Sequence, residues 1–218
     1  MIAEITNVLS PADSFGLVTL EELKSSLKIG IGDISEDDFL QLIIETGSGD
    51  IAAELNRTLA YERVKDIFII DASAGSRRLY LSHWPARLAA VETLTYAARV
   101  GGSERSILTD TNWILEEDTG IITLIDGTVW DGTITATYGG GYDLPEETPD
   151  GLKQAMILIG RDAWFASIRG DSSIRSISHK GARVMYFSPQ QMLAGAKGQP
   201  GSYNTIDRLL RHYRRQYV

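Results

Sequence analysis

No cysteine occurs anywhere in the 218 residues, which excludes disulfide scaffolds, thiolate zinc sites and cysteine nucleophiles together and fits a reducing compartment. Long hydrophobic runs are missing as well. No stretch approaches the ~18 apolar residues of a membrane span. The opening MIAEITNVLS carries Glu4 and no basic region, so it does not read as a secretory signal. Histidine is scarce: His83, His179 and His212 share no H-x-x-x-H or H-E-x-x-H spacing, so no metal and no cofactor is expected. These absences leave a soluble protein without a membrane partner. With 43% hydrophobic and 23% charged residues the chain is ordinary globular material. One large domain or two small ones would bury about 70% of the unfolded surface.

Charge is present but unevenly spread. Residues 1–160 hold 11 Lys/Arg against 26 Asp/Glu, whereas residues 161–218 hold 10 against 3, which gives −15 and +7 and a total of −8. An acidic body with a basic tail suits a tail that meets an acidic protein surface, a copy of its own body, or nucleic acid; a surface helix balancing the monomer's own field explains it equally well.

Hydrophobic period divides the chain. Up to about Tyr61 it is helical. Thr19-Leu20-Glu21-Glu22 spells a capping box opening a helix over Leu20–Leu27. Ser35 is placed to cap a second helix with Glu36, Asp37 and Asp38 in its first turn. Phe39, Leu42, Ile43, Ile51 and Leu55 supply that helix's apolar face, and Gly47 and Gly49 predict a kink or break in it. From Val64 to Tyr138 the period becomes two, with strands predicted over Val64–Asp71, Arg78–Ser82, Val91–Tyr96, Asn112–Glu116, Ile121–Ile125 and Thr133–Tyr138. Turn clusters at 74–76, 101–103, 118–120, 126–127 and 131–132 separate them, as in a small antiparallel sandwich or barrel. Thr148 and Pro149 then start a long helix that is apolar on more than one face (Leu152, Met156, Ile159, Trp164 and Phe165 among others). A Gly- and Pro-rich stretch over 170–202 contains one β-segment, Ala182–Phe187. The last helix, Tyr203 to Arg215, carries a stripe of Ile206, Leu209, Leu210, Tyr213 and Tyr217 opposite Arg208, Arg211, Arg214 and Arg215.

No catalytic constellation stands out. Asp118-Thr119-Gly120 is the aspartic-protease tripeptide, but Glu116 and Glu117 before it and a strand after it describe a hairpin turn. Gly170-Asp171-Ser172 resembles an esterase nucleophile motif, yet it follows a helix rather than a strand, and the overlapping Arg169-Gly170-Asp171 spells an adhesion tripeptide expected by chance. Gly139-Gly140-Gly141 lacks the Lys-Ser/Thr ending of a phosphate loop. His83, beside Trp84-Pro85, reads as a packed turn residue. The arginine helix has no Asn or Gln among its arginines to read bases, so it fits non-specific phosphate contact or docking onto an acidic protein groove.

The order of elements carries more. Leu17-Val18-Thr19-Leu20-Glu21-Glu22-Leu23-Lys24-Ser25-Ser26-Leu27 leads into the acidic helix start Ser35-Glu36-Asp37-Asp38-Phe39-Leu40. Tyr138-Gly139-Gly140-Gly141-Tyr142 and Leu144-Pro145 precede the long apolar helix, and Leu209-Leu210-Arg211-His212-Tyr213-Arg214-Arg215 closes the chain. This order resembles the head–tail connector (adaptor) proteins of tailed bacteriophages and related gene-transfer particles. The likeness is fullest over 17–60, 138–168 and the final helix and weaker across the β region, and Ser82-His83-Trp84-Pro85 departs from the more Pro-rich run expected there.

The resemblance implies an α+β fold: a helical bundle from the N- and C-terminal helices, an inserted small antiparallel β-sandwich or barrel, and an extended C-terminal arm ending in an amphipathic helix. Its segments would be N-terminal helices over 1–62, a β-rich insert over 63–138, a long core helix over 139–169, an arm over 170–202 and a docking helix over 203–218. It also implies a non-enzymatic virion-neck protein, assembled in a bacterial host's cytoplasm, that forms a dodecameric ring below the portal protein and extends the DNA channel to stopper and tail proteins. Double-stranded DNA would pass without specific contact, and an acidic body suits a wall that does not grip phosphate. Ile206, Arg208, Leu209, Leu210, Arg211, Tyr213, Arg214 and Arg215 would dock on the portal. Leu152, Met156, Ile159, Trp164 and Phe165 would pack within and between subunits. Three other readings stay open: a stopper or tail-completion protein, a β-sandwich binding carbohydrate or a host surface through Trp113 and Trp130, and an esterase or protease acting through Ser172 or Asp118.

Overall fold

The computed structural model describes residues 2–71, 75–100, 102–108, 111–168, 176–179, 182–185 and 202–214. The fold is α+β and divides into two compact units, Met1–Phe15 with Arg57–Leu144, and Gly16–Asn56 with Pro145–Val218.

The first unit is a β-sandwich. Strands β1 (Ile2–Ser10), β2 (Glu62–Ile70), β3 (Arg78–Tyr80), β4 (Val91–Ala97), β5 (Arg105–Ser106), β6 (Trp113–Glu116), β7 (Ile121–Leu124) and β8 (Gly132–Gly140) form an antiparallel five-stranded sheet in the order β1-β2-β8-β4-β5 and a three-stranded sheet in the order β3-β7-β6. Alternation along β2 buries Val64, Phe68 and Ile70 and leaves Lys65, Ile67 and Ile69 half-buried. On β8 the matching residues are Ile134, Ala136 and Tyr138, and with Leu79, Leu81, Trp113, Ile122 and Leu124 they make one core. All six predicted strands are present, within a few residues of the expected ends.

The start of the chain differs from the sequence reading. Residues 2–10, expected within the helical stretch 1–62, are a strand paired with β2 from Ile2↔Ile70 to Ser10↔Arg63. Ile2, Ile5 and Val8 recur every third residue, a helix-like spacing, and pairing with a neighbouring strand overrides it. Gly139 and Gly140, expected at the head of the core segment 139–169, end strand β8.

The second unit is helical, with α1 (Leu20–Leu27), α2 (Asp37–Leu55), α3 (Asp150–Ile168) and α4 (Ser202–Leu210), the last continued by a 3₁₀ turn over Arg211–Tyr213. The capping box at α1 is complete: the Thr19 amide donates to Glu22 Oε2 at 2.8 Å, and the Glu22 amide donates to Thr19 Oγ1 at 3.1 Å. Ser35 does not cap α2. Its hydroxyl and amide both bond Asp33 Oδ1, and Glu36 occupies the cap position without a side-chain bond. Nor does Thr148 cap α3, because its hydroxyl makes no hydrogen bond and the Pro149 carbonyl accepts from Lys153.

α2 runs unbroken through Gly47 and Gly49. Gly47 is a packing point: a Cβ there would lie 2.6 Å from Met156 Cε on α3, while on α3 a Cβ at Gly160 would lie 2.8 Å from Leu23. Among the residues expected on the apolar face of α2, Leu42 is exposed and Phe39 is half-buried against the Trp164 ring, 6.2 Å between centroids. Strands β9 (Ser176–His179) and β10 (Ala182–Met185) pair as a separate hairpin, and Phe187 lies outside the described residues.

Candidate functional site

α3 and α4 gather most of the residues singled out in the sequence. Leu152, Ala155, Met156 and Gly160 form the buried side of α3 against α1 and α2. Ile159 and Trp164 are half-buried, whereas Phe165 (44% exposed) and Ile168 (63%) lie open. The five expected packing residues therefore split. Leu152 and Met156 belong to the unit's own core, and Phe165 lies outside it.

α4 packs on α3, with Ile206 and Leu210 buried, Leu209 half-buried, and Tyr213 against Gly151. The apolar stripe is thus used within the chain's own helical unit. On the other side Arg208 and Arg211 are exposed, while Arg214 pairs with Glu54 and, at 2.9 Å, with Asp207. Arg215, Tyr217 and Val218 lie outside the described residues. α4 and the turn after it present Arg208, Arg211 and His212 outward, beside the exposed Asp207.

Lys153 of α3 reaches back to α1, where its Nζ donates to Glu22 Oε1 at 2.8 Å. Burial pushes the Glu22 carboxyl upward, but this bond and those from Thr19 outweigh it and hold the group below its ordinary value.

The sandwich contains a polar network that the sequence reading did not assemble. Asp66 is fully buried, and its carboxylate accepts from Thr6 Oγ1, Ser82 Oγ, the Ser82 amide and Tyr138 Oη, each at 2.7–2.8 Å. His83, also buried, lies 2.8 Å from Ser82 Oγ through Nδ1 and 2.9 Å from Glu62 Oε2 through Nε2. Serine, histidine and a carboxylate are in line, but Ser82 Oγ already donates to Asp66, so His83 has no proton to remove from it. Burial, then the Asp66 charge, pushes the Tyr138 phenol far above its usual range, so it serves as a neutral donor. The network ties β1, β2 and β8 to the loop that carries the cis Trp84–Pro85 bond. Arg57 stacks on that loop's Trp84 ring at 3.5 Å and donates to its carbonyl. The signal in the sequence was one acid, Asp66, inside the apolar run of β2.

Other sequence candidates resolve individually. Asp118-Thr119-Gly120 is the β6–β7 hairpin turn, with Gly120 at φ +64° and its amide on the Glu116 carbonyl at 2.9 Å. A Cβ on Gly141, at φ +108°, would lie 2.2 Å from the Ala60 carbonyl, so this glycine permits backbone contact rather than cradling phosphate. Trp113 and Trp130 are core residues, 8% and 5% exposed, and do not form an aromatic platform. Asp171 and Ser172 lie outside the described residues. Among the described residues no group of three His, Asp or Glu is placed to hold a metal, and no helix is long and apolar enough to cross a membrane.

No family model and no curated protein matches the sequence. The fold does have counterparts. It is similar to a chain from the neck of an empty GTA particle computed with C6 symmetry, with a TM-score of 0.57 at 15% identity. It is also similar to one from the virion of a native gene transfer agent particle (0.54, 16%) and to one from the neck of a native GTA particle computed with C12 symmetry (0.51, 16%). Each likeness covers 98% of this chain and 97% of the other.

Proposed function

We propose that this chain is a structural, non-enzymatic neck protein of a phage-like particle: a head–tail adaptor that forms a ring below the portal protein and continues the DNA channel toward stopper and tail proteins. The observation that carries the reading is the end-to-end likeness of its fold to chains of gene transfer agent necks, over 98% of its length. Those necks were computed with C6 and C12 symmetry, which agrees with a dodecamer as the ring. The charge distribution supports the same role, since an acidic body does not retain DNA phosphates passing through it.

In this reading Arg208 and Arg211 meet an acidic surface of the portal, while Ile206 and Leu210 hold α4 on its own unit. Ile168, 63% exposed, is among the apolar residues that would meet a neighbouring subunit in the ring. The test is co-sedimentation of the purified protein with its cognate portal ring, with and without residues 203–218. Saturable binding supports adaptor function, and because truncation also removes the buried Ile206 and Leu210, its loss on replacing the exposed Arg208 and Arg211 with Glu is what places the contact in α4. No binding to portal rings or to DNA-filled tailless heads overturns it.

A further inference from the structure

The two edges of the five-stranded sheet are not alike. At one end β5 is two residues long, too short to template another strand. At the other end β1 offers nine residues, and no strand among the described residues pairs with its outer side. Exposed edges are usually blunted by charged side chains, lysine above all, by proline or by a bulge. From Ile2 to Val8 this strand has neither lysine nor proline and a single charge, Glu4; its bulge comes only between Val8 and Ser10, and Pro11 follows its end. Ile5, Val8 and Leu9 are 48%, 50% and 45% exposed along it.

The same chain holds a second unfinished sheet. β9 and β10 form a two-stranded hairpin of four residues each, joined to no other strand among the described residues. A lone hairpin is marginal in water and gains stability by joining a larger sheet. Charge favours that partner: the sheet unit carries 8 Lys/Arg against 14 Asp/Glu, whereas residues 169–201 carry 5 against 1.

We infer that the β9–β10 hairpin of one copy adds to the β1 edge of the next, extending its five-stranded sheet across the subunit boundary. The inference rests on the ring reading for its geometry. Pairing β1 with β1 would be isologous and would stop at a dimer, whereas joining hairpin to edge is heterologous and repeats around a ring. Main-chain hydrogen bonds would supply the contact, with Ile5, Val8 and Leu9 covered as it forms.

Because the chain has no cysteine, the contact can be tested with single-cysteine chains mixed one to one. Asn7→Cys chains are mixed with Arg183→Cys chains, and neighbouring positions (Ile5 and Leu9 with Ile177 and His179) are scanned to allow for register. The mixtures are oxidised both free at high concentration and on portal rings, and cross-linked peptides are identified by mass spectrometry. A disulfide between the two different chains is expected. Hydrogen exchange of the unsubstituted full chain gives a second readout: β1 amides should slow at least tenfold on assembly, and deletion of 175–186 should abolish that slowing. Cross-linking of β1 chains only to themselves, or unchanged β1 exchange in an assembled ring, would overturn the inference. Portal co-sedimentation reads the adaptor role separately, so an intact ring with an unprotected β1 sinks only the strand addition.

Discussion

Asp66 is the residue on which the sandwich depends most sharply. Its carboxylate is buried with four donors around it, and removing it strands those donors, each at a cost of about 1–3 kcal/mol. Asp66→Ala is expected to lose about 3 kcal/mol or more, read as a lower urea midpoint, while Thr6→Ala, which removes one donor at the rim, should cost about 1 kcal/mol. Gly141 gives a backbone counterpart. With φ at +108° and the Ala60 carbonyl 2.2 Å from where a Cβ would stand, Gly141→Ala must move the 60–61 segment, and a loss of at least ~2 kcal/mol is expected in the same assay.

Single elements behave according to the face they bury. On α3, Met156 is fully buried, so Met156→Ala should cost about 2–5 kcal/mol of stability. Ile168→Asp alters an exposed position and should leave the thermal midpoint of the free chain nearly unchanged while abolishing ring formation on the portal, measured by sedimentation. At α1 the capping box is joined to α3 through Lys153. The folded-state value of Glu22 is lowered, so its contribution is full above the ordinary carboxylate range near 4.5 and is lost as pH falls through the lowered value. Acid titration of helicity should show this loss below about pH 4.5, and Glu22→Gln should flatten that part of the curve while lowering stability at neutral pH.

For the whole molecule, the opposition of an acidic body and basic tail should govern association. Arg208 and Arg211 are exposed and outside the core, so replacing both with Glu should weaken portal binding about tenfold or more without unfolding the chain. Raising salt should weaken the unmodified contact in the same direction, because exposed charges are screened over about 8–10 Å at moderate ionic strength. A surface helix that merely balances the monomer's own charge would show neither effect.

How much of this was legible in the sequence depends on how local each cause is. The capping box at Thr19 and Glu22, the turn at 118–120 and six of the eight strands of the sandwich follow from neighbours within a few residues, and the sequence by itself determined them. Tertiary structure alone decided the rest. β1 became a strand because β2 was there to pair with it, against its own three-residue spacing. Gly47 became a contact with Met156 instead of a break in α2, and the stripe of Ile206 and Leu210 turned inward onto α3. Asp66, Ser82, His83, Glu62 and Tyr138 met only when strands far apart in sequence were aligned. Local pattern fixes which backbone shape a segment prefers; which face it buries, and against what, is settled by partners that sequence spacing does not specify.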